Sequence, residues 1–142
     1  MKEYEQLLEL AKADLVLAKK VINDKEIRTE LILFHIQQVV EKAIKAILSY
    51  NDVIFPKTHD IEDLIELSCA KEIQLPDYVE KLPELTPYAV EFRYGFLDEE
   101  PEDAHELLEL AEKFINFTVN ILKGKKANRS RESRKEIERC VV

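Results

Sequence analysis

Residues 34–64, FHIQQVVEKAIKAILSYNDVIFPKTHDIEDL, contain the helix that decides the fold and the turn that follows it. On a helical wheel of about 100° per residue, the apolar residues of 39–48 cover roughly 200° of the helix surface. A narrower polar sector holds His35, Gln38, Glu41, Lys42, Lys45 and Ser49. We therefore predict a helix that is buried on most of its sides, with one stripe left for polar contacts.

The composition indicates a single all-helical domain. The chain has 142 residues, of which 46% are hydrophobic and 35% are charged, with two glycines and no tryptophan. Folding at this length buries about 68% of the extended chain's surface, which is enough for one core. Scarce glycine argues against a hairpin-rich β fold. No apolar run reaches the ~20 residues that a membrane span needs, so we expect a cytoplasmic protein with no membrane partner.

Apolar residues at helical spacing predict helices on both sides of the central one. The first covers 3–23, the central helix covers 27–50, and a short third helix follows Asp60, whose carboxylate is expected to cap the N–H of Asp63. Short connections between long helices favour antiparallel neighbours.

Proline and glycine mark the boundaries in the second half of the chain. A helical stub is predicted at 77–82, followed by a helix with Thr86 as N-cap and Pro87 at its first position. The last long helix is expected to open with Pro101 and to end at Gly124.

Charge divides the chain into an acidic body and a basic end. The net charge is −8, but residues 123–142 contain eight basic and three acidic residues, which leaves 13 basic and 26 acidic residues elsewhere. Such an acidic body should repel duplex nucleic acid. We predict a bundle over 1–124 and a basic tail over 125–142. That tail is either a partly helical or disordered terminus or an arm that binds phosphate or a partner.

Three short motifs carry a family resemblance. They are Gln38-x-x-Glu41-Lys42-x-x-Lys45, Thr58-His59-Asp60 and Phe92-Arg93-Tyr94. In this order and at these separations they resemble the HEPN (higher eukaryotes and prokaryotes nucleotide-binding) family over about 3–123. The resemblance implies an up-and-down bundle of four main helices with one additional short helix, commonly a homodimer. It also implies a minimal nucleotidyltransferase as partner, in a pair that behaves like a toxin and its antitoxin.

The ribonuclease motif of that family is absent in its usual form. HEPN members that cut RNA have an Arg, four to six residues and then a His, whereas the positions counted from Arg93 hold Asp98, Glu99 and Glu100. His105 lies too far along the chain. We therefore assign no catalytic residue, and a divergent metal-independent ribonuclease that uses Arg93 and His59 stays an alternative.

The candidate nucleotide- or anion-binding site consists of Lys42, Lys45, His59, Asp60, Arg93 and Tyr94. If their helices face one another, a guanidinium, two ammonium groups and an imidazole could hold phosphate oxygens, and a tyrosine ring could stack on a base. In the alternative interpretation these charges only tie helices together, for example through Glu41 and Lys45 at i,i+4. The protein would then be a non-catalytic dimeric scaffold.

The chain lacks the spacings typical of cofactor and metal sites. Its three histidines are far apart, and two glycines cannot build a phosphate-binding loop. Cys69 and Cys140 are predicted to be free thiols. The wide apolar arc of the central helix needs a further cover, which could be another chain or the short third helix, and we expect a homodimer.

Overall fold

The computed structural model describes residues 1–90 and 103–136, and it places side chains in 1–89 and 103–124. The helices are α1 (Glu3–Val21), α2 (Thr29–Tyr50), α3 (Ile61–Ala70), a 3-10 helix (Asp77–Leu85), α4 (Pro87–Val90) and α5 (Ala104–Glu136). These ranges contain no β-strand. The predicted all-α fold is confirmed.

The three long helices form the frame of the bundle. At one end, the rings of Tyr4 and Tyr50 meet at 5.1 Å, and Ser49 Oγ donates a hydrogen bond of 2.9 Å to Glu3 Oε1, so α1 and α2 are antiparallel. Lys19 Nζ lies 2.6 Å from Glu112 Oε2 on α5. Further along α5, Val119, Leu122 and Lys123 line a groove with residues from the start of α1, so α5 is antiparallel to α1 as well.

Helix α2 is the centre of the core, as its sequence predicts. Thirteen of its 22 residues are buried. The helix contacts α1, α3, α4, α5 and the 3-10 helix of the same chain. Each fully buried Leu, Ile or Val side chain contributes about 1.5–3 kcal/mol relative to exposure. The wide apolar arc of α2 is thus covered within one chain, and it is no longer an argument for a second one.

The starts of α3 and α4 are close to the predictions, with two corrections. Asp60 is the N-cap of α3, but its carboxylate accepts a 2.9 Å hydrogen bond from the N–H of Glu62 rather than from that of Asp63. Helix α4 begins at Pro87 as predicted, but Thr86, the predicted N-cap, has αR backbone angles and its Oγ1 accepts from the N–H of Ile61. The helix expected to carry Phe92, Arg93 and Tyr94 is described only as far as Val90, and those three residues lie outside the described residues.

Both predicted ends of α5 are wrong. The helix begins at Ala104, because Asp103 is not helical and its Oδ1 accepts a 3.2 Å bond from the N–H of Glu106. Pro101, the predicted first position, lies outside the described residues. The backbone stays helical through Gly124 to Glu136. One exposed glycine costs about 1 kcal/mol in a helix, and the Lys, Ala, Arg and Glu residues around it are good helix formers that offset this cost.

Two further findings concern Cys69 and membrane spans. Cys69 is disulfide-bonded, so the prediction of a free thiol there is wrong: sequence spacing does not report which thiols meet in space. Cys140 lies outside the described residues.

In the described part of the chain, every helix is too short or too polar to cross a bilayer.

Candidate functional site

The polar stripe of α2 is organised around Glu41, whose side chain is almost fully buried. Its Oε1 accepts from Gln37 Nε2 at 2.9 Å and contacts His59 Nδ1 at 3.0 Å, and its Oε2 accepts from Lys45 Nζ at 2.9 Å. Gln37 and Lys45 lie one helical turn before and after Glu41, so all three share a face. We call Gln37, Glu41, Lys45 and His59 the Glu41 cluster.

The backbone of the α2–α3 loop brings His59 to this cluster. Its carbonyl accepts a 3.1 Å hydrogen bond from Gln37 Nε2. The next residue is fixed twice, since the N–H of Asp60 donates to Thr58 Oγ1 at 3.0 Å and its carboxylate caps α3. Just beyond, the N–H of Ile61 donates to Thr86 Oγ1 at 3.1 Å. The Thr-His-Asp turn is therefore held at several points, and the position of its imidazole is well defined.

The imidazole of His59 is held by one nitrogen and reaches solvent with the other. Its side chain is 52% exposed, and Nδ1 contacts Glu41. Burial raises the pKa of Glu41, but hydrogen bonds from Lys45, Gln37 and His59 outweigh this and leave the pKa below its usual value. An ionised carboxylate only accepts hydrogen bonds, so Nδ1 donates. Nε2 is then the acceptor of the neutral ring or a second donor of the protonated one.

A second cluster joins α1 to α2. Asp14 Oδ2 accepts from Lys42 Nζ at 2.7 Å, and Asp14 Oδ1 lies 3.2 Å from His35 Nδ1. We call these three residues the Asp14 cluster. The structure thus divides the predicted site: Lys45 and His59 meet at Glu41, whereas Lys42 binds a different carboxylate. The predicted convergence of both lysines with His59 fails for Lys42, because its position on the wheel faces α1.

The other candidates have separate places. Asp60 is used as the helix cap of α3. Arg93 and Tyr94 lie outside the described residues, as do Asp98, Glu99 and Glu100. His105 Nε2 lies 2.9 Å from Asn23 Oδ1 at the contact of α5 with the end of α1, which is a different part of the bundle.

Sequence reasoning missed Gln37, Asp14 and Phe55. Gln37 is fully buried, and its spacing of four before Glu41 was a usable signal, since Lys45 stands four after it. Asp14 lies beside the buried residues of α1, but its contacts with Lys42 and His35 depend on the register of α1 against α2. Phe55 has its ring centroid 5.7 Å from Lys45 Nζ, a contact that depends on the path of the α2–α3 loop.

The Glu41 cluster is complete in its internal hydrogen bonds. Among the described side chains, every buried nitrogen and oxygen atom has a partner. The same part of the chain contains no group of three or more His, Cys, Asp or Glu residues that could hold a metal ion. What the cluster presents outward is the edge of the His59 ring opposite Nδ1, since this side chain is 52% exposed whereas that of Lys45 is 13% exposed. That edge suits an anionic oxygen or a proton transfer.

The fold and the site together define an all-helical domain whose polar cluster is built on its most buried helix. The family model of the HEPN domain matches residues 4–122, and the chain belongs to the HEPN family. No curated protein and no solved structure matches the chain. The resemblance seen in the sequence motifs is confirmed at the level of the family.

Proposed function

We propose that this protein is a nucleotide- or RNA-binding HEPN module, and that a ligand phosphate binds at Lys45 and His59. The observation that carries the proposal is the half-exposed imidazole of His59, whose Nδ1 and carbonyl are both fixed while Nε2 points away from Glu41. In the protonated ring Nε2 is a preorganised donor, which loses little freedom on binding a phosphate oxygen. The family match supports the ligand class.

The charges of the cluster suit a single phosphate group. The Lys45 ammonium has three N–H donors and gives one to Glu41, which leaves donors for a ligand oxygen. Lys57, two residues before His59, adds an exposed cation on the loop that carries the imidazole, whereas Lys45 itself is largely buried. We retain Arg93 and Tyr94 as proposed contacts from the resemblance, whereas Lys42 and Asp60 are engaged by Asp14 and by the cap of α3.

Binding can be tested by isothermal titration calorimetry and thermal shift with AMP, ATP and a short RNA. The test variant is His59→Ala, and the matched control is His35→Ala, since both imidazoles contact a carboxylate through Nδ1. A hydrogen bond to a charged group contributes about 1.5–3 kcal/mol, so His59→Ala should weaken binding about tenfold or more. The control should bind like the wild type. Equal affinities in the two variants, or no binding by the wild type, would refute the proposal.

We further propose that the chain forms a homodimer in the cytoplasm and works with a minimal nucleotidyltransferase protein, in a toxin–antitoxin-like pair. The family resemblance supports the pairing. Exposed leucines at 10 and 17 of α1 and at 31 of α2 support the presence of a second chain. Sedimentation of the wild type and Leu17→Lys, and co-purification with a nucleotidyltransferase encoded beside it, test the two partners separately.

One observation favours a second candidate, a divergent metal-independent ribonuclease. A buried carboxylate that orients an exposed imidazole is the arrangement of a general base, and Glu41 and His59 are placed in this way. Arg93 would stabilise the charge that develops on the phosphate. The alternative requires RNA cleavage by purified protein that is lost in both His59→Ala and Arg93→Ala. Binding without cleavage would leave only the binding module.

A further inference from the structure

A groove of about 400 Å³ opens at the end of the bundle where α1 begins and α2 ends. It is lined by Glu3, Ser49, Asp52, Val53, Ile54 and Phe55. Its volume falls in the range of ~300–1,000 Å³ that is usual for small-molecule sites. Neither the family match nor the sequence motifs assign a role to this groove.

Lys45 connects the groove to the Glu41 cluster. Ser49 stands one helical turn after Lys45, which is a rise of about 6 Å along α2. The ammonium of Lys45 lies 2.9 Å from Glu41 Oε2 and 5.7 Å from the ring centroid of Phe55. The proposed phosphate site and the groove therefore adjoin, with Lys45 at their boundary.

The walls of the groove are apolar on one side and acidic on the other. Ile54 is 94% exposed, and Phe55 beside it is partly buried against the core. Glu3 and Asp52 supply carboxylates, and the Ser49 hydroxyl donates to Glu3. These carboxylates repel a phosphate but accept hydrogen bonds from amino and hydroxyl groups. A nucleotide would therefore bind in one direction, with its phosphate at Lys45 and its base in the groove.

We propose that this groove is the base and sugar subsite of the nucleotide site, with Phe55 as the residue on which the base stacks. The inference rests on the proposed function, because the phosphate end of the ligand is the one assigned above to Lys45 and His59. Acceptors at the rim favour bases with an exocyclic amino group, so AMP and CMP should bind more tightly than UMP.

The experiment is a calorimetric comparison of AMP, UMP, adenosine and ribose 5-phosphate on the full chain. Phe55→Leu keeps an apolar side chain but removes the aromatic face, and base stacking on an aromatic ring is a sequence-tolerant source of affinity. We expect Phe55→Leu to weaken AMP binding about fivefold or more. Ribose 5-phosphate should bind the variant and the wild type equally.

Three more variants keep the test independent of folding defects at Phe55. Ile54→Ala removes an exposed wall of the groove and should also weaken AMP, whereas Val16→Ala, at an exposed site outside the groove lining, should not. Asp52 has a φ of 59°, which asparagine also tolerates, so Asp52→Asn should keep the turn and lower the preference for AMP over UMP.

The outcomes separate the two proposals. If the wild type binds AMP and ribose 5-phosphate equally and Phe55→Leu changes neither, the subsite is refuted and the phosphate site stands. If adenosine binds and is lost in Phe55→Leu while ribose 5-phosphate does not bind, the groove stands and the phosphate site is refuted. If none of the four ligands binds the wild type, both proposals are overturned.

Discussion

Helix α2 contributes to two clusters that share a carboxylate, a lysine and a histidine, with Gln37 as a fourth member of the Glu41 cluster, and the clusters differ in which member reaches solvent. In the Glu41 cluster the carboxylate is 6% exposed and the imidazole of His59 is 52% exposed. In the Asp14 cluster the carboxylate is 14% exposed and the imidazole of His35 is 25% exposed. Burying the carboxylate and exposing the imidazole gives an oriented group that a ligand can reach.

The clusters also differ in what they connect. Lys42 and His35 bind Asp14 across the α1–α2 contact, so this cluster joins two helices. Gln37 and Lys45 bind Glu41 within α2, and only His59 comes from another segment. The Asp14 cluster therefore fixes the register of the bundle, whereas the Glu41 cluster fixes a loop residue. Stability and binding measurements can distinguish these two roles.

The largest expected effect is that of Glu41→Ala. Removing the carboxylate leaves the ammonium of Lys45 without its acceptor in a largely buried site, and leaves the amide of Gln37 with only the carbonyl of His59. Breaking a buried pair in this way costs about 3–5 kcal/mol. Urea denaturation of Glu41→Ala should show that loss in the free energy of unfolding.

Asp14→Ala is the matched control for that experiment. Asp14 and its partner Lys42 are more exposed than Glu41 and Lys45, so Lys42 can be rehydrated and a loss of about 1 kcal/mol is expected. Equal losses in the two variants would mean that the burial of the carboxylate has no energetic consequence, and the contrast between the clusters would be broken.

Gln37→Leu should have the next largest effect. Leucine has a similar volume, but it leaves the carbonyl of His59 without its donor and Glu41 with one donor fewer. A polar group left unsatisfied costs about 1–3 kcal/mol. Denaturation measures the loss, and the proton–nitrogen spectrum of His59 should show a broader range of ring positions. A stable variant with an unchanged spectrum would show that Gln37 does not hold the loop.

The pH dependence of stability gives a smaller and more specific signal. The pKa of Glu41 is lowered from 4.5 in the folded protein, so its carboxylate stabilises the fold above pH 4.5 and loses this contribution as the pH falls through the folded pKa. The difference in unfolding free energy between the wild type and Glu41→Gln should therefore shrink on acidification below pH 4.5. A constant difference between pH 7 and pH 3 would contradict this.

The smallest effect is expected for Lys42→Met. The methionine keeps most of the apolar stem, and the pair with Asp14 is partly exposed, so the loss should be about 0.5–1 kcal/mol. High salt should reduce the difference from the wild type, because exposed charges are screened. If Lys42→Met lowers the free energy of unfolding more than Gln37→Leu does, the Asp14 cluster contributes more to stability and the expected order is wrong.

Local sequence determined much of this structure, and contacts between segments determined the rest. The wheel of α2 and the apolar stripe of α1 predicted both helices, because burial follows a period of 3.6 residues. Gly124 misled the prediction of the end of α5, since its cost is small beside the propensity of its neighbours.

The site shows the same division. The pairing of Glu41 with Lys45 could be predicted, because residues at i and i+4 are neighbours on any helix. The pairing of Lys42 with Asp14 could not, since it depends on how far α1 is shifted along α2. His59 was identified as a candidate from its turn, but its contact with Glu41 required the path of the whole loop.

The bond from the N–H of Ile61 to Thr86 Oγ1 has a mechanical consequence. Thr86 stands immediately before Pro87, where α4 starts, and Ile61 stands two residues after His59. The Thr86 hydroxyl therefore ties the residue before α4 to the start of α3, two residues after His59. A change in the position of Thr86 would therefore also change the backbone that carries His59.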